Sequence, residues 1–99
     1  MTEVPPLSAA QRETETVLAA ARDNFETALR LAEESRDKPP AEAQKLLERV
    51  AELGRQAADG FKQVDARAEQ AGALNNLGNA YSALGRHEEA LAAKEEATK

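Results

Sequence analysis

The sequence predicts an all-α fold, an antiparallel array of about four helices, from three observations. Alanine, the strongest helix former, supplies 22 of the 99 residues. The β-branched aliphatic and aromatic residues that strands favour are scarce, with four valines, no isoleucine and no tryptophan. The apolar residues recur at intervals of three and four, the spacing of one helix face. Only 17 residues are Leu, Val or Phe, so we expect thin helices in close contact rather than a thick core.

Composition and charge exclude several classes of protein. With a net charge of −5 and a pI near 4.9, the chain lacks the basic surface with which proteins bind nucleic acid. The absence of cysteine excludes disulfides and thiolate zinc sites. The N-terminus has neither the basic nor the apolar region of a signal peptide, and no apolar stretch has the roughly 18 residues that a membrane span needs. We therefore expect a cytoplasmic protein with no nucleic-acid partner and no membrane partner.

The first predicted helix covers about residues 8–36 and follows a flexible N-terminal arm, residues 1–7, that contains two prolines. Ser8 is a favourable N-cap, and Gln11 three residues later completes a capping box. The proline pair at positions 39 and 40 ends the helix, because proline lacks an amide proton and disfavours helical geometry in the residue before it. Between these limits the apolar residues keep helical spacing: Val17, Leu18, Ala21, Phe25, Ala28, Leu29 and Ala32.

A second long helix is predicted to begin at Pro40, since proline is favourable in the first helical turn. Its apolar face keeps the same spacing over about 22 residues: Ala43, Leu46, Leu47, Val50, Leu53, Ala57, Phe61 and Val64. Gly54 and Gly60 each cost about 1 kcal/mol relative to alanine inside a helix. They either permit close helix contact or, at Gly54, mark a turn. Residues 65–70 are polar, and we expect a short connection or a helix start there.

Residues 71–85 carry no charge in a chain whose residues are 31% charged, which indicates a segment contacted on more than one side. The main apolar stripe of this segment comprises Leu74, Leu77, Tyr81 and Leu84. Gly85 is favourable at a helix end. Arg86 starts a further predicted helix, with Glu88 and Glu89 near its positive N-terminal end.

The C-terminal segment, residues 71–99, resembles a tetratricopeptide repeat, a helix–turn–helix unit of 34 residues. The resemblance rests on the order and spacing of eight residues: Leu74, Leu77, Gly78, Tyr81, Gly85, Glu89, Ala90 and Ala97. It implies a helical hairpin in which the small residues Gly78 and Ala90 let two antiparallel helices approach closely. The pattern stops at Lys99, before the proline that closes the repeat in this family, so we expect a truncated repeat.

Upstream, residues 8–70 form two long helices that either cap the repeat or contain a degenerate copy of it. A displacement of 31 residues pairs Leu84-Gly85-Arg86 with Leu53-Gly54-Arg55 and repeats the apolar stripe, which would place a turn at Gly54. The helical spacing of the apolar residues nevertheless continues on both sides of Gly54, and we prefer a continuous second helix. One repeat cannot bury its own faces, so the upstream helices or a second chain must cover it.

Three asparagines lie within five residues of the uncharged segment 71–85, in the middle of a predicted helix, although asparagine is a poor helix former. In tetratricopeptide proteins the first helix of each unit lines a concave groove that binds peptides. The resemblance therefore implies a protein or peptide partner, bound by these groove candidates: Asn75, Asn76, Asn79 and Ser82. An amide suits this role because it both donates and accepts hydrogen bonds. The alternative is that Asn75 and Asn76 meet polar groups of a neighbouring helix.

The sequence offers no constellation for catalysis, a metal or a cofactor. His87, the only histidine, lies in a predicted turn, and the adjacent carboxylates at positions 33–34, 88–89 and 95–96 point in different directions around their helices. We therefore predict a protein that is not an enzyme: an interaction scaffold with a groove near Asn79 for a peptide or partner protein. The alternative is a self-associating helical bundle, a homodimer, since the alanine run at positions 19–21 suits close packing between helices.

Overall fold

A computed structural model describes Pro6 and residues 8–99, which form four α-helices in an antiparallel array. The helices are α1 (Ala9–Ser35), α2 (Pro40–Gln63), α3 (Arg67–Ala83) and α4 (His87–Ala97). The all-α prediction is confirmed, and the described part of the chain contains no strand. The predicted arm, residues 1–7, lies outside the described residues apart from Pro6, which is exposed. No helix in the described range combines the length and the apolar character that a membrane crossing requires.

The first helix begins and ends where its sequence signals predict. The Ser8 Oγ accepts a hydrogen bond from the Gln11 N–H at 3.2 Å, and the Ser8 N–H donates to the Gln11 side chain at 2.8 Å. These two bonds form the predicted capping box. The helix ends at Ser35, and a short turn leads to Pro40 in the first turn of α2. The proline pair therefore separates the two long helices.

The second helix runs without a break through Gly54, so the preferred continuous helix is confirmed and the turn at Gly54 is not present. A Cβ built on Gly54 would lie 3.5 Å from the Cβ of Leu77 in α3, an ordinary packing distance. Gly54 therefore lies at the α2–α3 contact. The 31-residue internal repeat has no counterpart in the structure, because its first turn would fall inside α2.

The turn between α2 and α3 is a Schellman cap. Asp65 adopts a left-handed conformation with φ 58°, and the Ala66 N–H donates to the Phe61 carbonyl oxygen at 2.8 Å. The third helix begins at Arg67, so most of residues 65–70 form the first helical turn rather than a connection. The boundary drawn between residues 70 and 71 in the sequence thus falls inside α3.

The turn between α3 and α4 has the same geometry. Gly85 is left-handed with φ 78°, as its predicted helix-ending role requires, and the Arg86 N–H donates to the Tyr81 carbonyl oxygen at 2.8 Å. A hydrophobic contact often accompanies such a cap. Here the Arg86 guanidinium lies over the Tyr81 ring, 4.8 Å from its centroid, while Glu89 accepts two hydrogen bonds from it at 2.6 and 2.7 Å.

The core is a thin layer of mostly small side chains. Its largest fully buried side chains are Phe61, Leu74, Leu77 and Val50, and most of its other members are alanines. Phe25 meets Phe61 edge to face with ring centroids 6.3 Å apart. Nearly all helix–helix contacts join helices that are adjacent in the chain, and the molecule measures 60 × 28 × 17 Å. Close contact between thin helices, as the composition predicts, is therefore the packing principle of this fold.

Candidate functional site

Helices α1 and α3 both pack on α2 and touch each other only near one end. There the Arg22 side chain of α1 donates two hydrogen bonds to the Glu69 carboxylate of α3, at 2.9 and 3.1 Å. A Cβ built on Gly72 would lie 3.7 Å from the Phe25 ring, so the two helices are in contact at this level. We call this region the closed end. It fixes the spacing of α1 and α3 on one side of α2.

Beyond the closed end a groove separates α1 from α3, and α2 forms its floor. A cavity of about 360 Å³ lies here, and its lining comprises Ala32, Ser35, Arg36, Leu47, Val50, Asn76, Asn79, Ala80 and Ala83. A second depression of about 340 Å³ continues it past Leu47 and Ala83 and adds Pro40, Ala43, Gln44 and Leu84. We call the two together the α1/α3 groove. Its lining is mostly apolar, with three amides and a single charged residue, Arg36.

The structure brings together two of the four predicted groove residues. Asn76 and Asn79 line the α1/α3 groove with Ala80 and Ala83, because residues spaced by three, four and seven share one helix face. Asn75 and Ser82 are seven residues apart on a different strip of α3, where both are exposed and neither belongs to the groove lining. The predicted region of the site thus contains a groove, but only half of the predicted side chains reach it.

Asn76 carries an unpaired hydrogen-bond donor. Its Nδ2 atom is buried and has no hydrogen-bond partner among the described residues. Leaving such a donor unpaired costs about 1–3 kcal/mol, which most buried polar groups avoid. For this nitrogen, the proposed alternative of a polar group on a neighbouring helix has no counterpart in the structure. A hydrogen-bond acceptor supplied from outside the described chain would remove the cost.

The residues that carry the repeat resemblance build the hairpin behind the groove wall. Leu74 and Leu77 are fully buried, while Ala90 of α4 is buried and Ala97 partly buried. A Cβ built on Gly78 would lie 2.9 Å from the Lys94 Cγ and 3.3 Å from the Ala90 oxygen, which shows how closely α3 and α4 approach. The wall that presents Asn76 and Asn79 is thus supported from behind by α4.

The ion pair between Arg22 and Glu69 at the closed end shifts the pKa values of both side chains towards their charged forms. The hydrogen bonds from Arg22 lower the pKa of the Glu69 carboxyl below its ordinary value, and the same pairing raises the pKa of Arg22. Both side chains are solvent-accessible, so the pair is screened. A second long-range pair, Arg55 with Glu96 at 3.2 Å, links α2 to α4. Helices that are second neighbours in the chain are therefore linked by arginine–glutamate pairs.

Sequence reasoning missed the groove residues that α1 and α2 supply. Ala32, Arg36 and Leu47 line the groove only because α1 and α3 lie side by side, which is a tertiary relationship. One signal was present in the sequence: Leu29 shares a helix face with Ala32 and Arg36. Leu29 remains 46% exposed, so it is a large apolar side chain that the described residues leave uncovered on the face of α1 that carries Ala32 and Arg36.

The described residues contain no group of three or more His, Cys, Asp or Glu side chains that could hold a metal ion. His87 is exposed at the start of α4, and the adjacent carboxylates lie on helix surfaces. The groove itself contains amides, a hydroxyl and a guanidinium, which are binding groups.

No protein-family model matches the chain, and neither a curated protein nor a solved structure matches it.

Proposed function

We propose that this protein is a non-catalytic interaction scaffold whose α1/α3 groove binds an extended segment of a peptide or partner protein. The observation that carries the proposal is the buried, unpaired Nδ2 of Asn76 in a groove whose lining is otherwise mostly apolar. Asn79, one helical turn further along α3, supplies a second amide to the same groove. A bound backbone would provide the acceptor that Asn76 lacks.

An extended segment fits this groove better than a helix does. A helix pairs its own backbone N–H and C=O groups along its length, so it has few left for amide side chains. An extended chain leaves those groups free, and an amide can both donate to and accept from them. Asn76 and Ala83 are about 10 Å apart along α3, which corresponds to roughly three residues of an extended chain.

The lining also determines which side chains the segment should carry. Ala32, Ala80 and Ala83 leave room beside α2, and Leu47 and Val50 form an apolar floor. Small or medium apolar side chains would bury against that floor at about 25 cal/mol per Å². The amides would then fix the direction and register of the bound backbone.

The proposed architecture assigns α3 and α4 to a tetratricopeptide-like hairpin and α1 and α2 to a capping hairpin. In this assignment α1 and α3 form the two walls of the groove. We further propose that the protein acts in the cytoplasm, without a cofactor and without a nucleic-acid or membrane partner, on the composition and charge of the chain.

The test is a selection of groove-binding peptides followed by a matched pair of asparagine variants. Peptides selected from a random ten-residue display library on the immobilised protein are titrated by fluorescence anisotropy. We expect Asn79→Ala to weaken binding about tenfold without lowering the melting temperature. Asn75→Ala, the same change on the exposed strip of α3, should leave binding unchanged. Equal effects of the two variants, or binders that perturb no groove resonance in NMR spectra, would contradict the proposal.

A further inference from the structure

We infer that the segment bound in the α1/α3 groove is residues 1–7 of a second copy of this chain. The inference rests on the proposed function, since it requires a groove that accepts an extended segment. It names the segment, and it makes the association reciprocal, with each copy supplying one segment and one groove. Three independent features of the chain support it: hydrogen-bonding chemistry, charge and reach.

The hydrogen-bonding chemistry of the segment matches the unpaired donor in the groove. Residues 1–7 have the sequence MTEVPPL. Proline favours extended geometry in itself and in the residue before it, so Val4, Pro5 and Pro6 favour an extended backbone. Prolines also present carbonyl oxygens without N–H groups. The groove offers the complementary group, the buried Nδ2 of Asn76 that lacks an acceptor.

The charges of segment and groove are also complementary. Arg36 is the only charged residue in the groove lining, and its side chain forms no ion pair with any described residue. Glu3 is the only acidic side chain among residues 1–7. With Glu3 on Arg36, the apolar side chains that follow it in the segment can lie over the floor at Leu47. Carboxylate–guanidinium pairs of this kind fix the register of a bound chain.

The reach of the segment excludes the groove of its own chain. Ala32 lies 24 residues after Ser8 on the same helix, a distance of about 36 Å at 1.5 Å per residue. Residues 1–7 span at most about 25 Å even when fully extended. Glu3 therefore cannot approach Arg36 of its own chain, and the groove it reaches must belong to another copy.

A two-fold pair of chains provides the required geometry. When two copies lie antiparallel along α1, the start of each α1 is beside the end of the other, where the groove lies. Such an interface is self-complementary and closes on itself, as two-fold dimers do. The exposed Leu29 shares a face of α1 with the groove residues Ala32 and Arg36, and this arrangement would cover it.

A charge swap in the 99-residue chain tests the inference. We expect Glu3→Arg and Arg36→Glu each to raise the dimer dissociation constant at least tenfold in sedimentation equilibrium, and the double variant to restore most of the loss. Lys38→Glu, the same change of charge two residues from Arg36, should leave dimerisation unaltered. Circular dichroism of each variant checks that the helices remain folded. A dimer that is insensitive to both single swaps would overturn the inference.

A mixed-label experiment shows directly which copy supplies the segment. The chain has no cysteine, so Thr2→Cys carries one nitroxide label at a defined position. Chains that are enriched in ¹⁵N and carry no nitroxide are mixed with nitroxide-labelled chains of natural isotope content. We expect the side-chain amide signals of Asn76 and Asn79 to broaden, whereas that of Asn75 broadens much less. Because the observed chain carries no nitroxide, broadening can arise only from a second copy.

The outcomes separate this inference from the proposed function. If the chain is monomeric at 1 mM and shows no broadening, while library-selected peptides still bind the groove, the inference fails and the proposed function stands. If neither the second copy nor any selected peptide binds the groove, both fail. Dissociation of the dimer by the synthetic amidated peptide MTEVPPL, with that peptide perturbing Asn79, would support both.

Discussion

Gly60 of α2 lies so close to Ala21 of α1 that a Cβ built on the glycine would be 2.9 Å from the Ala21 Cβ. Real Cβ atoms do not approach so closely, so the α1–α2 contact depends on the absence of a side chain at position 60. Ala21 and Ala28 are both buried on the same face of α1. Ala21 therefore sets the distance between α1 and α2 at this level, and a larger side chain there would force the two helices apart.

Substitution by alanine at the two glycines of α2 should change the free energy of unfolding in opposite directions. Gly60→Ala forces rigid groups apart and should lower the free energy of unfolding by about 1–3 kcal/mol, as overpacking does. Gly54→Ala meets Leu77 at an ordinary distance and gains helix propensity, so it should raise the free energy of unfolding by up to about 1 kcal/mol. Urea denaturation of both variants measures the difference. Destabilisation of similar size at both positions would contradict this account of the α1–α2 contact.

Substitutions at the left-handed residues of the two Schellman caps, Gly85 and Asp65, should also differ in their effect on stability. Gly85→Ala places a side chain at φ 78° and should lower the free energy of unfolding by about 1–2 kcal/mol. Asp65→Gly removes a side chain from the equivalent left-handed position and sacrifices only an exposed ion pair with Arg67. We expect it to keep or slightly raise the melting temperature in circular dichroism. A loss of stability as large as that of Gly85→Ala would show that the Asp65 side chain has a structural role.

Asn76→Ala should make the protein more stable and weaken its binding. The substitution removes an unpaired buried donor together with a poor helix former, so we expect the free energy of unfolding to rise by about 1–2 kcal/mol. The same change should weaken binding of selected peptides, because the backbone acceptor loses its donor. Chemical denaturation and anisotropy titration on one preparation measure both effects. A drop in stability would mean that the amide is a structural group.

The Arg22–Glu69 ion pair at the closed end should make a pH-dependent contribution to the stability of the fold. The pKa of Glu69 is lowered in the folded state, so its pairing with Arg22 stabilises the fold above the ordinary carboxyl pKa of 4.5. This contribution is lost as the pH falls from about 4.5 through the lower folded value. Glu69→Gln should therefore melt below the unmodified chain at pH 7, and the two should converge near pH 2. Glu13→Gln, on the exposed first part of α1, provides the control; a constant difference at all pH values would argue against the pair.

The helices could be predicted from local signals, because those signals act within a few residues. The Ser8–Gln11 capping box, the proline pair and Gly85 determine helix ends without reference to the rest of the chain. The left-handed residue at position 65 was not predictable in the same way, since aspartate enters that region only when the surrounding turn requires it. The start of α3 at Arg67 was therefore predicted less sharply than the other helix ends.

The site could be predicted only in part, because a groove belongs to two helices. The asparagine cluster directed attention to one stretch of α3, and the structure places Asn76 and Asn79 of that stretch in a groove. Which of the asparagines face the groove depends on the rotation of α3 about its axis. The sequence does not define that rotation, because the uncharged segment around the asparagines is apolar on several sides. Arg36 and Leu47 join the site through the packing of α1 and α2. Spacing within one helix carries no information about that packing.

The sequential order of contacts also has a consequence for motion. Since almost every helix–helix contact joins neighbours in the chain, either outer helix can detach without disturbing the contact at the opposite side of the array. The 11-residue α4 buries few side chains and is shorter than isolated helices need to persist in water, so its amides should exchange with deuterium first. The other outer helix, α1, contacts α2 along much of its length and α3 only at the closed end. The width of the groove therefore depends mainly on how α1 packs on α2, so any change in that packing also changes the space available to a bound segment.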